Sequence, residues 1–574
     1  MWRAWSPAPN RLSPPAGPRK PGAAALAALV GVFLLRGSAG SEVPAAADCR
    51  RLLASTDATT SILTAELIPR SGDLPEHCRL EGWIPPAIGF EVRLPTEWNG
   101  SFFMAGNGGY LGAYFDQSLG LARGYATAST DTGHRGPSPT FAHDNRPAEI
   151  DFGFRAVHLT ALAAKRLIEK RYGASPERSY FRGCSTGGRQ GLMEAQRFPE
   201  DFDGLSIGAP IYDYTLKQLY NASWVAQTLY GDDRAGYVPR RKLEALGTAV
   251  YSRCDAIDGL RDGLIDDPRR CDFEPARDLE RCAEAEDRND CFSVSQITAI
   301  EKIYNGPGKT LYPGHVKGGE WMTPSATEVG SGLTGGWDVY FTGRLGSSTA
   351  GDAVDGDAYG GSGFEAVQLR NARSFFKYLA FKRDRPEFEV LSDLDFAAPP
   401  DTRYMAGIMN ADDSDLSALH ERGGKLLLWH GWADVGLNPL RTIAYFDRVR
   451  RRLGARRADQ TLRLFMVPGM YHCSGGPGPD RFDDLGALEK WVESGVAPER
   501  IIARNTRSGG YAAGRGPGGM AEATQNSETV RSRPLCAYPG AAVYRGAGSI
   551  DEAESFDCRV RPIPPGSTRP GASE

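Results

Sequence analysis

Residues 179–199, SYFRGCSTGGRQGLMEAQRFP, set a short apolar strand against a helix-forming segment with only a glycine-flanked turn between them. A strand that turns so sharply into a helix packs only if the helix folds back over a sheet, and the next strand then runs parallel to the first. The surrounding sequence agrees. FEVRLP (90–95) and SFFMAG (101–106) read as strands, and FRAVHLTALAAKRLIEKRYG (154–173) reads as a helix with Val157, Leu159, Leu162, Ala163 and Leu167 on one face. The expected class is therefore α/β with a parallel sheet.

The texture divides the chain. After GLSIGAP (204–210), residues 213–404 carry Gly-rich loops, Asp-rich turns, cysteines and scattered aromatics, which reads as an inserted domain. Regular texture returns with GGKLLLWHGWAD (423–434), NPLRTIAYFDRVRRRLG (438–454) and TLRLFMVPGMYHC (461–473), so residues 41–212 and 405–574 are expected to form one discontinuous domain. Residues 1–40 have the layout of an export signal: Arg3, Arg11, Arg19 and Lys20, an apolar run from Ala23 to Leu35, then Ser38-Ala39-Gly40. That run is short for a membrane span and nothing later supplies one, so a secreted or periplasmic protein without a stable membrane span is expected.

Gly183-x-Ser185-x-Gly187 between strand and helix is a nucleophile elbow, whose glycines allow a strained turn that projects the serine hydroxyl at the top of the sheet. A serine hydroxyl attacks only when a histidine takes its proton and a carboxylate orients that histidine. On this scaffold the α/β-hydrolase order is serine, acid, histidine. Of the eight histidines, His472 lies beyond a credible acid, Asp434, and each sits in a loop after a late strand. Asp131 is the rival acid, but it precedes the serine; His430 precedes Asp434 at the strand's end and reads as packing or loop support. Backbone amides of Thr186 and of Gly108 or Gly109, in FFMAGNGGYLG, are the candidate oxyanion donors.

Ten cysteines in an exported chain imply disulfides. Cys49 with Cys78, Cys254 with Cys271, Cys282 with Cys291 and Cys536 with Cys558 group locally and leave Cys184 and Cys473. Those two flank Ser185 and His472, so a bond between them would hold the base against the nucleophile. CDAIDGLRDGLIDDP (254–268) crowds Asp255, Asp258 and Asp262 around two Asp-Gly turns, hard oxygen ligands suited to calcium. The net charge of -4 and the lack of a basic stripe disfavour nucleic acid.

These stretches, with FEVRLPTEWNG, GYATASTDTGH and FPEDFDGLSIGAP, resemble the tannase and feruloyl esterase family, which also includes the bacterial enzyme that hydrolyses mono(2-hydroxyethyl) terephthalate. The resemblance implies an α/β-hydrolase fold with a large inserted lid domain and the triad Ser185, Asp434 and His472. It also implies a Cys184–Cys473 disulfide and a structural calcium held by Asp255, Asp258 and Asp262 with the carbonyls of Leu260 and Leu264. The expected activity is carboxylic ester hydrolysis without an organic cofactor, on esters of hydroxycinnamates first, gallate second and terephthalate third. A peptidase and a non-catalytic binding protein are the competing classes. Trp224, Trp321, Trp337, Tyr340 and Phe341 are candidates to stack on the acyl ring, and Arg370 or Arg373 to meet its polar end.

Overall fold

The sheet that carries the elbow has nine strands in the order β1-β2-β3-β5-β4-β6-β7-β8-β9. They are β1 Ser61–Ile68, β2 His77–Ile84, β3 Ile88–Pro95, β4 Ser101–Ala105, β5 Ala126–Thr130, β6 Arg178–Cys184, β7 Gly204–Gly208, β8 Lys425–Gly431 and β9 Leu462–Val467. This computed structural model describes residues 45–308, 311–320, 335–343, 365–506 and 529–561; the expected export signal and Trp321 lie outside them.

From β5 through β9 neighbours pair in parallel, as expected. The sheet is nevertheless mixed, because β1, β2, β3 and β5 pair antiparallel. Only residues 85–87 join β2 to β3, far too few for the crossover that parallel neighbours need.

Alternation along the strands feeds two cores. Phe102, Met104, Phe181, Leu426, Leu428 and Leu464 face one cluster, while Phe103, Tyr180, Leu427, Trp429 and Phe465 face the other. Both faces are therefore covered, as parallel sheets require. Helix Ala156–Tyr172 covers the first face through Ala156, Val157, Thr160, Ala161, Ala163, Ala164, Leu167 and Ile168. Leu159 and Leu162, expected inside, are only half-buried. The alanine stripe packs inward instead, since small side chains let the helix lie close to the sheet. Helix Asp484–Ser494 covers the second face with Leu485, Leu488 and Trp491.

Between β7 and β8 the chain forms no named strand among the described residues. Helices Ser223–Tyr230, Leu243–Cys254, Val294–Asn305 and Val367–Tyr378 bury a third cluster including Val225, Leu246, Ile300, Trp337 and Phe375. Val435 and Leu437, just beyond β8, belong to that same cluster, so the insertion packs onto the end of the sheet where the candidate acid lies.

All ten cysteines are paired: Cys49–Cys78, Cys254–Cys271, Cys282–Cys291 and Cys536–Cys558 close local loops, and Cys184–Cys473 joins positions 289 residues apart. Thiol titration of the oxidised protein under denaturing, non-reducing conditions is expected to find no free cysteine. Two reactive thiols traced by peptide mapping to Cys184 and Cys473 would contradict that long-range pairing.

Candidate active site

Ser185 sits between the end of β6 and helix Thr186–Arg197 with φ 64° and ψ -121°, a conformation a side chain occupies only when its surroundings enforce it. Its amide donates to Gly208 O at 3.1 Å, and its carbonyl accepts from the Arg189 and Ile211 amides. The flanking glycines are compelled by close approach. A Cβ on Gly183 would stand 2.5 Å from the Gly187 carbonyl, and one on Gly187 would stand 2.8 Å from Asn107 O.

Cys184 and Cys473 have Cα atoms 6.0 Å apart, so their neighbours Ser185 and His472 are tethered at one place. His472 Nδ1 lies 2.7 Å from Asp434 Oδ2. A carboxylate only accepts, so Nδ1 carries the hydrogen and the neutral ring keeps Nε2 as its basic nitrogen.

Asp434 is fully buried, and each of its oxygens takes two bonds. Oδ1 accepts from the Gly436 and Leu437 amides at 2.8 and 2.9 Å. Oδ2 accepts from His472 and, at 3.0 Å, from His430 Nε2. Burial by itself would raise this acid, but the electrostatic attraction and hydrogen bonds of His472 and His430 outweigh it and hold Asp434 well below the usual carboxylate range.

His430 is also fully buried. Its Nε2 faces Asp434 Oδ2 and Leu437 O, both acceptors, so that nitrogen donates and Nδ1 accepts from the Thr442 hydroxyl at 2.8 Å. The loop support read from its sequence position is thus a direct bond to the acid. The rival, Asp131, accepts from the Gly89 and Gly133 amides and pairs with Arg135; its burial pushes it up to about 6. Its carboxylate bonds no histidine among the described residues.

Gly108 and Gly109 lie in a loop held by Asn107, whose Nδ2 donates to Leu111 O, Ala113 O and Thr130 O. Gly109 has φ 53°, so that position favours glycine. Of the expected ring contacts, Tyr340 stands edge-on to His472 with centroids 5.7 Å apart. Trp337 and Phe341 are buried in the insertion's own core, and Trp224 packs on Phe396. Arg373 pairs with Glu365, and Arg370 lies on helix Val367–Tyr378.

The acidic loop is gathered only in part. Asp255 Oδ1 accepts from the Asp262 and Gly263 amides, Asp258 Oδ1 from Leu260, and Asp262 Oδ1 from Leu264. Arg533 pairs with the second oxygen of Asp262. Metal-ligating groups whose donor atoms all lie within 4.8 Å are His143, Asp144 and Asp384, and His158, Glu194 and Asp201, among the described residues. The three loop aspartates are not such a group.

Residues 75–559 match the profile for tannase and feruloyl esterase. The chain belongs to that family. It is similar to mono(2-hydroxyethyl) terephthalate hydrolase of Piscinibacter sakaiensis, at 34% identity covering 85% of this chain and 86% of that one. A probable feruloyl esterase of Arthroderma benhamiae is 31% identical, covering 83% and 81%. In fold it is similar to the crystal structure of feruloyl esterase B from Aspergillus oryzae, with TM-score 0.71, 23% identity and coverage of 90% and 100%. Tannin acyl hydrolase from Aspergillus niger gives TM-score 0.62 at 22% identity, covering 90% and 94%. The fold is accordingly the α/β fold of these esterases, and the chain is a carboxylic ester hydrolase of a family that acts on small-molecule esters.

The crowding at the elbow generates a stability prediction. Gly183→Ala, whose Cβ would meet the Gly187 backbone, is expected to lose about 1–3 kcal/mol, as overpacked interiors do, read as a lowered midpoint in denaturant unfolding.

Proposed function

We propose that this chain is a secreted serine esterase that cleaves esters of aromatic acids through an acyl-enzyme. The observation that carries the reading is the 2.7 Å bond from His472 to buried Asp434, on a loop disulfide-bonded beside the strained Ser185. Ser185 attacks the ester carbonyl as His472 Nε2 takes its proton, and Asp434 holds the ring and favours the imidazolium. The amides of Thr186 and of Gly108 or Gly109 meet the oxyanion. His472 then protonates the leaving alcohol and activates the water that frees the acid. The insertion serves as a lid, with Tyr340 beside the base.

Hydroxycinnamate esters are the first substrate choice, supported by the feruloyl esterases among the relatives. Terephthalate monoesters are the second reading, favoured by the 34% identity to the terephthalate enzyme. Export is supported by five disulfides, and no described helix is long and apolar enough to cross a membrane.

A structural calcium at Asp255, Asp258 and Asp262, with the Leu260 and Leu264 carbonyls, belongs to the same proposal. Burial, and after it the Asp262 charge, raises both Asp255 and Asp258; neither has an ion-pair partner among the described residues. Nearby Asp266 is pushed up to about 7, first by burial. A hard divalent cation suits such oxygens and would relieve their repulsion. When bound it would stabilise the loop that Cys254–Cys271 closes.

Ser185→Ala is expected to reduce ester turnover by about 10⁴-fold or more with substrate binding retained; full activity in that variant would reject the mechanism. Methyl ferulate, methyl gallate and mono(2-hydroxyethyl) terephthalate, compared by kcat/KM, rank the acids, and a peptide with a matched acyl group should be left uncleaved. For the calcium, chelator treatment is expected to lower the thermal midpoint and calcium to restore it. The binding contributes about 2.7 kcal/mol when the ion is a hundredfold above its Kd. An unchanged midpoint would remove calcium from the proposal.

A further inference from the structure

Against the turn that follows Asp434, the insertion buries an unusual set of polar side chains. Lys217 is 2% exposed and Gln368 is fully buried. Lys217 lies on one turn of π-helix, Lys217–Ala222, a widened geometry that often marks functional positions. Its ammonium donates to Gln368 Oε1 at 2.7 Å and approaches Gln218 Oε1 at 3.4 Å. Gln368 Nε2 donates in turn to Val435 O at 3.1 Å and Gly436 O at 3.0 Å. Those two residues form the turn whose Gly436 amide binds Asp434 Oδ1. A continuous chain of hydrogen bonds therefore runs from the insertion to the carboxylate that orients His472.

We propose that Lys217 and Gln368 are positioning residues for the Asp434–His472 pair: Gln368 fixes the turn that presents the acid, and the Lys217 ammonium places positive charge near it. This rests on the reading of Ser185, His472 and Asp434 as the catalytic groups.

A buried ammonium without a carboxylate partner is costly, and here no carboxylate lies within ion-pair reach of Lys217 among the described residues. Asp213 is engaged by Arg441. Asp434 is committed to its histidines and amides. His315, held to Asn221 at 2.7 Å, has its imidazole driven down to about 3 by burial and then by Lys217. Burial pushes Lys217 itself down to about 7, while Asp434 and then Asp213 oppose that fall. It is therefore charged at acidic pH. A positive charge there favours ionised Asp434 and disfavours the imidazolium, so it extends activity to lower pH. Removing it should raise the pH at which the base becomes available.

The test compares Gln368→Leu, Lys217→Met and the double variant. The double variant replaces both partners by apolar groups of similar shape and leaves no buried ammonium unpaired. Kinetics are measured on methyl ferulate, or on whichever ester of the panel is turned over fastest. In folded Gln368→Leu, kcat is expected to fall about tenfold or more with KM nearly unchanged. In Lys217→Met and in the double variant, the acid limb of kcat/KM should move to higher pH. Folded variants with the native kcat and an unmoved acid limb overturn the proposal. Failure of both the single and double variants to fold assigns the network to stability alone and also overturns it. Ser185→Ala, run alongside, separates the two claims: if it is inactive while the network variants behave as native, the catalytic reading stands and this one falls; if it is active, both fall.

Discussion

A carboxylate removed from water must be met by donors on every side, and Asp434 is met by four: two backbone amides of its own turn and two histidine nitrogens. Unpaired, it would take up a proton and lose its hold on the imidazole. Three neighbouring elements serve that requirement. β8 delivers His430 and the turn after it, helix Pro439–Leu453 supplies Thr442 to orient His430, and the loop after β9 brings His472. The sheet order β7-β8-β9 is what places these loops beside the elbow that follows β6.

The insertion contributes to the same centre from outside the sheet. Its hydrophobic cluster includes Val435 and Leu437, residues of the acid's own turn, and Tyr340 closes over both the Gly436 backbone and the His472 ring. The packing of the insertion thereby reaches the turn that holds the acid.

What could be read from the chain followed the signals that are local. The elbow announces itself because Gly183, Ser185 and Gly187 lie within five residues and both glycines are sterically compelled. Asp434 and His472 end apolar strands, so their loops are legible. The antiparallel edge was hidden because hairpins and crossovers differ only in the length of connection between β2 and β3. Leu159 and Leu162 misled because hydrophobicity outweighs size in a periodicity count, whereas this sheet face accepts alanines. Lys217 and Gln368 lie on helices where a lone polar residue reads as a solvated face. Their burial depends on partners 67 to 151 positions away, which no local pattern carries.

The Cys184–Cys473 bond also closes residues 184–473 into a ring, which spans 289 positions and includes the whole insertion. A single backbone cut anywhere inside that ring, for instance in the loops of the insertion, leaves Ser185 and His472 on one covalent body. Cleavage alone does not release the two halves; a reductant is needed as well. The insertion can thus be nicked without dissociating the two segments that carry Ser185 and His472.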